Sequence, residues 1–293
     1  MNCRLPICDE GERIMRKARS VFLKIATVLF ALIGIAAFVY PPIANHYIEN
    51  EFQKTIDGYN SQVESLSKRK INDKKASVEK YNDTLLNPVV DGKIDNSAVF
   101  QNGEIIGYVD IPKINEKIPI YEGTDEGVLS KGVGHVKSTS LPCGGKGTHS
   151  AIAGHSGLGT AEIFSSLDEL ENGDTFYIGF LDDVLRYEVV EKTILTPVEA
   201  DKYIKIEGRE DYCTLITCYP VTVNTHRLLV KGKRIKENKK KTESVRKKIE
   251  PKKTRESQED IPLMIYVAAV ILIIVWFNIV IYIITKRRKG KHD

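Results

Sequence analysis

At 293 residues, with 42% hydrophobic and 28% charged residues, the chain is long enough for one substantial domain plus accessory segments. A formal net charge of +4 gives no global field that demands nucleic acid, and no aromatic-interleaved basic module of the RNA-binding kind occurs. The five cysteines are an odd, sparse set with no zinc-ligand spacing, so neither a metal nor a cofactor is expected.

Residues 1–24 form a basic N-terminus carrying Arg13, Arg16, Lys17, Arg19 and Lys24. They precede an uncharged run, residues 25–43, that meets the length of about 20 residues needed to cross a bilayer. A signal peptide has a shorter apolar core of about 7–15 residues, and Tyr40-Pro41-Pro42 offers no small-residue cleavage pattern, so an uncleaved anchor is favoured. Pro41-Pro42 should break the helix, with a new one beginning near Ala44.

Residues 44–103 read as a helical region. Ile48, Phe52, Ile56, Tyr59, Val63 and Leu66 recur at steps of four and three, the pattern of an amphipathic helix. Residues 68–75 are polar and read as a turn, while Val78, Tyr81 and Leu85 mark a second helix stopped by Asn87-Pro88. Two roles stay open for these helices, spacing a domain from the membrane or regulating it.

From Glu104 the pattern changes to short strands with turn signals between them. Residues 105–111, 117–121 and 150–153 read as strands, with a helical turn near Val128 and a short helix over 162–170. Residues 174–180 and 185–196 form a hairpin about Asp182-Asp183, residues 197–206 are a connection, and residues 212–218 and 226–235 pair as two further strands. Many short strands and few helices predict a mostly β fold, a closed barrel over 104–235. Residues 236–260 are a basic solvated tether. Residues 261–285 form a second apolar span, and 286–293 a tail opening with Lys286, Arg287, Arg288 and Lys289. Positive flanks put both termini in the cytoplasm and the domain between them outside.

Chemistry concentrates in three places. Cys218 closes a strand just before Pro220, which cannot donate to a sheet ladder. Arg227 begins the next strand, where a guanidinium near a thiol favours the reactive thiolate. His155 follows a strand and precedes Gly157. A thiolate attacks a carbonyl, an imidazolium protonates the leaving amine, and a fixed cation steadies the oxyanion. On spacing alone His226, His135 and His149 compete with His155. Cys213 reads as a small buried hydrophobe, and its position five residues from Cys218 in one strand disfavours a disulfide between them.

TLITC at 214–218, NTHRLLV at 224–230 and AGHSGL at 153–158 resemble the signatures of sortases, membrane-anchored cysteine transpeptidases of Gram-positive bacteria. The likeness extends to YVDIPKINEKIPIYEGT at 108–124 and covers most of 104–235, with histidine, cysteine and arginine in the family's order. The N-terminal helices and second span are similar to the class C, pilin-polymerising group. The resemblance implies an eight-stranded sortase barrel, with Cys218 as nucleophile, His155 as general acid/base and Arg227 as the residue that orients substrate and stabilises the oxyanion. Thr217, beside the nucleophile, is carried as a substrate-binding residue. It further implies cleavage of an LPxTG-like sorting signal after Thr, a thioester on Cys218, and resolution by a lysine amine of another pilin subunit. A housekeeping enzyme using a peptidoglycan precursor is the alternative, and a non-enzymatic envelope scaffold a third reading. Two departures stand out. Asn87-Pro88-Val89 lacks the carboxylate and ring of the class C Asp-Pro-aromatic lid, and Ser156 replaces the Arg common after the histidine.

Overall fold

The computed structural model describes residues 7–86, 99–157, 163–206 and 208–235. The chain divides into two units, Met1–Ile43 with Lys253–Asp293, and Ala44–Lys252. In the first unit, among the described residues, one helical stretch, Ala18–Ala37, is long and apolar enough to cross a membrane. The expected second span, the basic tether and the Asn87-Pro88-Val89 segment lie outside the described residues.

Helix α1 (Ile7–Ser65) continues through Pro41-Pro42. The expected break there is therefore corrected. Each proline removes one donor from the ladder, so adjacent prolines forfeit bonds within a single turn while the good helix formers on either side keep theirs. Helix α2 (Lys68–Leu86) also corrects the turn expected over 68–75. The interruption is only Leu66-Ser67, and Ser67 Oγ accepts from the Lys70 amide at 3.3 Å. The polar run is helical because Ile71 within it is buried with Ile56, Tyr59 and Val63 of α1, and its lysines dock on the domain as well. Lys74 pairs with Glu104 at 3.2 Å and sits 3.9 Å over the Phe100 ring, and Lys75 pairs with Asp182 and Asp183.

Eight strands follow: β1 (Ile105–Ile111), β2 (Glu116–Glu122), β3 (Val133–His135), β4 (Thr148–Gly154), β5 (Thr175–Phe180), β6 (Asp183–Leu195), β7 (Asp211–Tyr219) and β8 (His226–Ile235). They close into a barrel in the order β1-β2-β3-β4-β7-β8-β6-β5, as expected. Closure leaves no edge strand to recruit another chain. The β2/β3 and β4/β7 pairs are parallel and the others antiparallel.

Two short helices are inserted. Helix α3 (Glu126–Leu129) is capped by Asp125, whose side chain accepts from the Val128 amide. Helix α4 (Pro197–Tyr203) occupies the stretch expected to be a plain connection. Thr196 and Glu199 form a reciprocal capping box, and Pro197 supplies the preset first turn. The helix expected over 162–170 is not one. From Ile163 onward the chain turns, Phe164 takes φ 57°, and only Leu167–Glu169 coil into a 3₁₀ turn.

Alternation along the strands sorts two cores. Cys213, Leu215, Leu228, Val230 and Ile152 fill the barrel with the stacked Phe176 and Tyr187 rings. Ala151, Ile216 and Leu229 face outward, under Ala200 and Ile204. The helices join the barrel as well. Tyr59 on α1 donates to the Ile106 carbonyl at 2.9 Å and accepts from the Leu181 amide at 2.8 Å. Asn82 on α2 bonds both the amide and the carbonyl of Leu141.

Candidate active site

Register alone brings the three expected residues to one place. The parallel β4/β7 ladder ends with Gly154 opposite Thr217, so His155 and Cys218 are the next residues of two neighbouring chains. Adjacent strands run about 4.8 Å apart. On the other side of β7, Cys218 lies directly opposite Arg227 of β8. Residues two apart share a face of a strand. Cys218 therefore shares its face with Ile216, Arg227 with Leu229, and His155 extends the face of Ala151 and Ala153, all members of the outer apolar cluster. All three functional groups stand at one end of that face.

Local bonds fix each of them. Arg227 Nη1 donates to the carbonyls of Asn224 and His226 at 3.2 and 2.9 Å, which holds the guanidinium against the β7–β8 loop. The His155 ring presents Nε2 to Glu126 of α3 at 3.5 Å. Below the histidine, only glycine fits at 154. A Cβ there would stand 2.7 Å from the Phe164 ring and 2.9 Å from Val133. Gly157, at φ +67°, occupies the left-handed region and lies against Val221 of the β7–β8 loop. Thr217 is buried, and its hydroxyl donates to the Gly154 carbonyl at 3.0 Å. Ser156 is buried too, and its hydroxyl donates to the Cys218 carbonyl at 2.7 Å.

The competing histidines have other work. His135 is fully buried between Glu122, at 2.9 Å, and the Ser140 carbonyl. His149 bonds the Lys205 carbonyl and Thr214 Oγ1, and burial pushes its imidazole down to about 4. His226 pairs with Tyr219 and bonds its neighbour Thr225. Cys213 and Cys218 are both free, as the strand parity requires. Burial raises the Cys213 thiol well above its ordinary range and pushes that of Cys143 up to about 12. Neither is a ready nucleophile. Among the described residues no group of three or more His, Cys, Asp or Glu side chains is placed to hold a metal ion.

Two neighbours of the site escape sequence reasoning. Glu126 precedes His155 by a whole crossover, and no local pattern ties it to an imidazole. Ser156 stands out only as a departure from a family habit, with nothing to reveal its acceptor.

Comparison with known proteins identifies the family and the fold. The sortase domain family matches residues 109–235. Sortase D of Bacillus subtilis is 32% identical over 145 residues, 48% of this chain and 70% of that protein. A crystal structure of sortase C from Clostridium perfringens is 38% identical with a TM-score of 0.57, covering 63% of this chain and 99% of that one. A second structure of that enzyme contains the C-terminal cell wall sorting motif and superposes with a TM-score of 0.59 over the same shares, also at 38% identity. Sortase C of Streptococcus pneumoniae is 39% identical with a TM-score of 0.57, covering 63% of this chain and 97% of that one. A closed eight-stranded barrel, a strand-end thiol facing an arginine, and this degree of identity lead to one conclusion: the chain belongs to the sortase family of cysteine transpeptidases.

Proposed function

We propose that this protein is a sortase C-like transpeptidase that cleaves an LPxTG-like sorting signal and passes the acyl group to a lysine amine of another pilin subunit. The observation that carries the reading is the pairing of Cys218 opposite Arg227, with His155 ending the adjacent parallel strand. Cys218 acts as the thiolate. It attacks the carbonyl carbon of the signal's Thr, and the tetrahedral intermediate collapses as the Thr–Gly amide bond breaks. His155 gives its proton to the leaving amine, and the acyl group remains as a thioester on Sγ. The lysine amine then attacks the thioester carbonyl, His155 takes up its proton, an amide forms and the thiolate leaves.

Arg227 cannot serve as a base. Pinned by two main-chain carbonyls, it is a preorganised donor for the oxyanion and for orienting the substrate. Thr217 is carried as a substrate-binding residue from its place beside Cys218; buried and bonded to the Gly154 carbonyl, it serves the substrate by holding the strand end in place. The first span anchors the domain on the outer face of the membrane, the second returns the chain, and both termini are cytoplasmic. Sorting motif and pilin specificity in the sortase C structures from C. perfringens and S. pneumoniae support pilin as the substrate class.

The test is incubation of the full chain with a panel of sorting-signal peptides, followed by mass spectrometry for a Cys218 thioester. Cys218→Ala should abolish both the adduct and the polymeric product, and persistence of either would refute the proposal. Offering a pilin lysine against a peptidoglycan precursor separates pilus assembly from the housekeeping alternative.

A further inference from the structure

We propose that Ser156 is a positioning residue for the Cys218–His155 pair, its buried hydroxyl tying the nucleophile's own carbonyl to the residue that follows the imidazole. The inference rests on the reading of Cys218 and His155 as the reacting groups. Backbone pairing between their strands stops at Gly154 and Thr217, one residue short of both. Beyond that point, two side-chain hydroxyls carry the ladder on. Thr217 Oγ1 crosses from β7 to the Gly154 carbonyl at 3.0 Å, and Ser156 Oγ crosses back to the Cys218 carbonyl at 2.7 Å. The two bonds run in opposite directions and bracket the dyad. Both residues are only 3% exposed, so water does not stand in for either hydroxyl.

The chain is pinned once more at the next residue, where the Gly157 amide donates to Ser165 Oγ at 2.9 Å. Most buried serines find a hydrogen-bond partner, and satisfaction alone would be an ordinary structural role. What sets Ser156 apart is its acceptor. A carbonyl directed at the β4 side fixes the Cys218–Tyr219 peptide unit, while the Thr217 bond holds the residue before it, and the two together aim the Cys218 Cα–Cβ bond. Proton exchange between sulfur and imidazole works over a heavy-atom separation of a few tenths of an ångström around hydrogen-bond contact. A misplacement of about 1 Å in such a constellation costs on the order of a hundredfold in rate. A bond that fixes one partner to the neighbour of the other controls that separation directly.

The experiment follows alkylation of Cys218 by limiting iodoacetamide in the full chain held in detergent micelles, with each cysteine read by peptide mass spectrometry. Wild type, Ser156→Ala, His155→Ala and the double variant are compared. Ser156→Ala should slow Cys218 alkylation about five- to tenfold, as expected for a sub-ångström displacement. The double variant should match His155→Ala within about twofold, because without the imidazole there is no separation left to control. A Ser156→Ala rate within twofold of wild type overturns the proposal. So does an equal loss in both backgrounds, which is the signature of general loosening. If His155→Ala itself reacts like wild type, the dyad falls, and that failure is visible without the serine variants. Protection of the buried Cys213 thiol reports that each variant is folded; where it is exposed, Ser156→Gly takes the place of Ser156→Ala and His155→Gln that of His155→Ala.

Discussion

Replacing Tyr59 by Phe tests whether the N-terminal helices are part of the folded domain or only a spacer beneath it. Tyr59 is 6% exposed, and its hydroxyl is the shared partner of two main-chain groups on different elements, the Ile106 carbonyl and the Leu181 amide. Phenylalanine keeps the ring and its packing against Ile56, Val63 and Tyr108. It leaves both backbone groups without their partner. Each such buried group costs about 1–2 kcal/mol, so the loss is about 2–4 kcal/mol. For a domain of roughly 200 residues, 1 kcal/mol moves Tm by about 2–4 °C, which predicts a fall of about 4–16 °C.

The assay is urea and thermal unfolding of the unit Ala44–Lys252 by circular dichroism, with Tyr47→Phe as control. Tyr47 is 69% exposed on the same helix and should change stability by less than about 0.5 kcal/mol. An equally small effect at Tyr59 would refute the argument, because it would mean that the hydroxyl bonds are replaced by water and the helix is not docked.

Three further predictions follow from the site and its floor. Gly157→Ala puts a Cβ at φ +67° and 2.1 Å from Val221 Cγ1, so it should lower transpeptidation at least about tenfold, and adding Val221→Ala should restore part of the rate. Arg227→Lys keeps the charge but loses the planar fork held by two carbonyls, and kcat should fall by about a hundredfold with a smaller change in KM. His149 is neutral in the fold because burial depresses its pKa from 6.5 to about 4. The unfolded chain therefore takes up a proton first as pH falls, and the stability present above about 6.5 is lost on the way down to about 4, by up to about 3 kcal/mol. Urea midpoints measured across that window should fall in wild type and flatten in His149→Gln.

Much of the barrel was legible because each strand carries its own alternation and its own turn signals. The hairpin about Asp182 and the β7/β8 pair came out within a residue or two of their observed ends. Tertiary partners decided what was missed. The polar run at 68–75 is helical because Ile71 within it is buried and because Lys74 and Lys75 meet carboxylates 30 and 108 positions away, Glu104 and Asp183. β3 holds only three residues and forms because β2 and β4 flank it. Helix α4 is a different case, since Thr196, Pro197 and Glu199 are a complete start signal read as a plain connection.

The three residues of the candidate site were singled out by family resemblance, spacing alone having left other histidines open, and the fold shows why they end on one face. Cys218 and Arg227 are separated by a loop whose length leaves their register open, so proximity alone decides nothing. Parity decides it. Leu215 and Cys213 must enter the barrel, which turns Cys218 outward. Leu228 and Val230 must enter it too, which turns Arg227 outward on the facing strand. A slip of one residue between β7 and β8 would expose that apolar set and drive the guanidinium into the core. The same burial of Ile152 turns Ala151 and Ala153 outward and carries His155 to the outer face. The apolar residues that stabilise the barrel thus also turn the thiol, the imidazole and the guanidinium to one face, and folding correctly already brings the three candidate groups together.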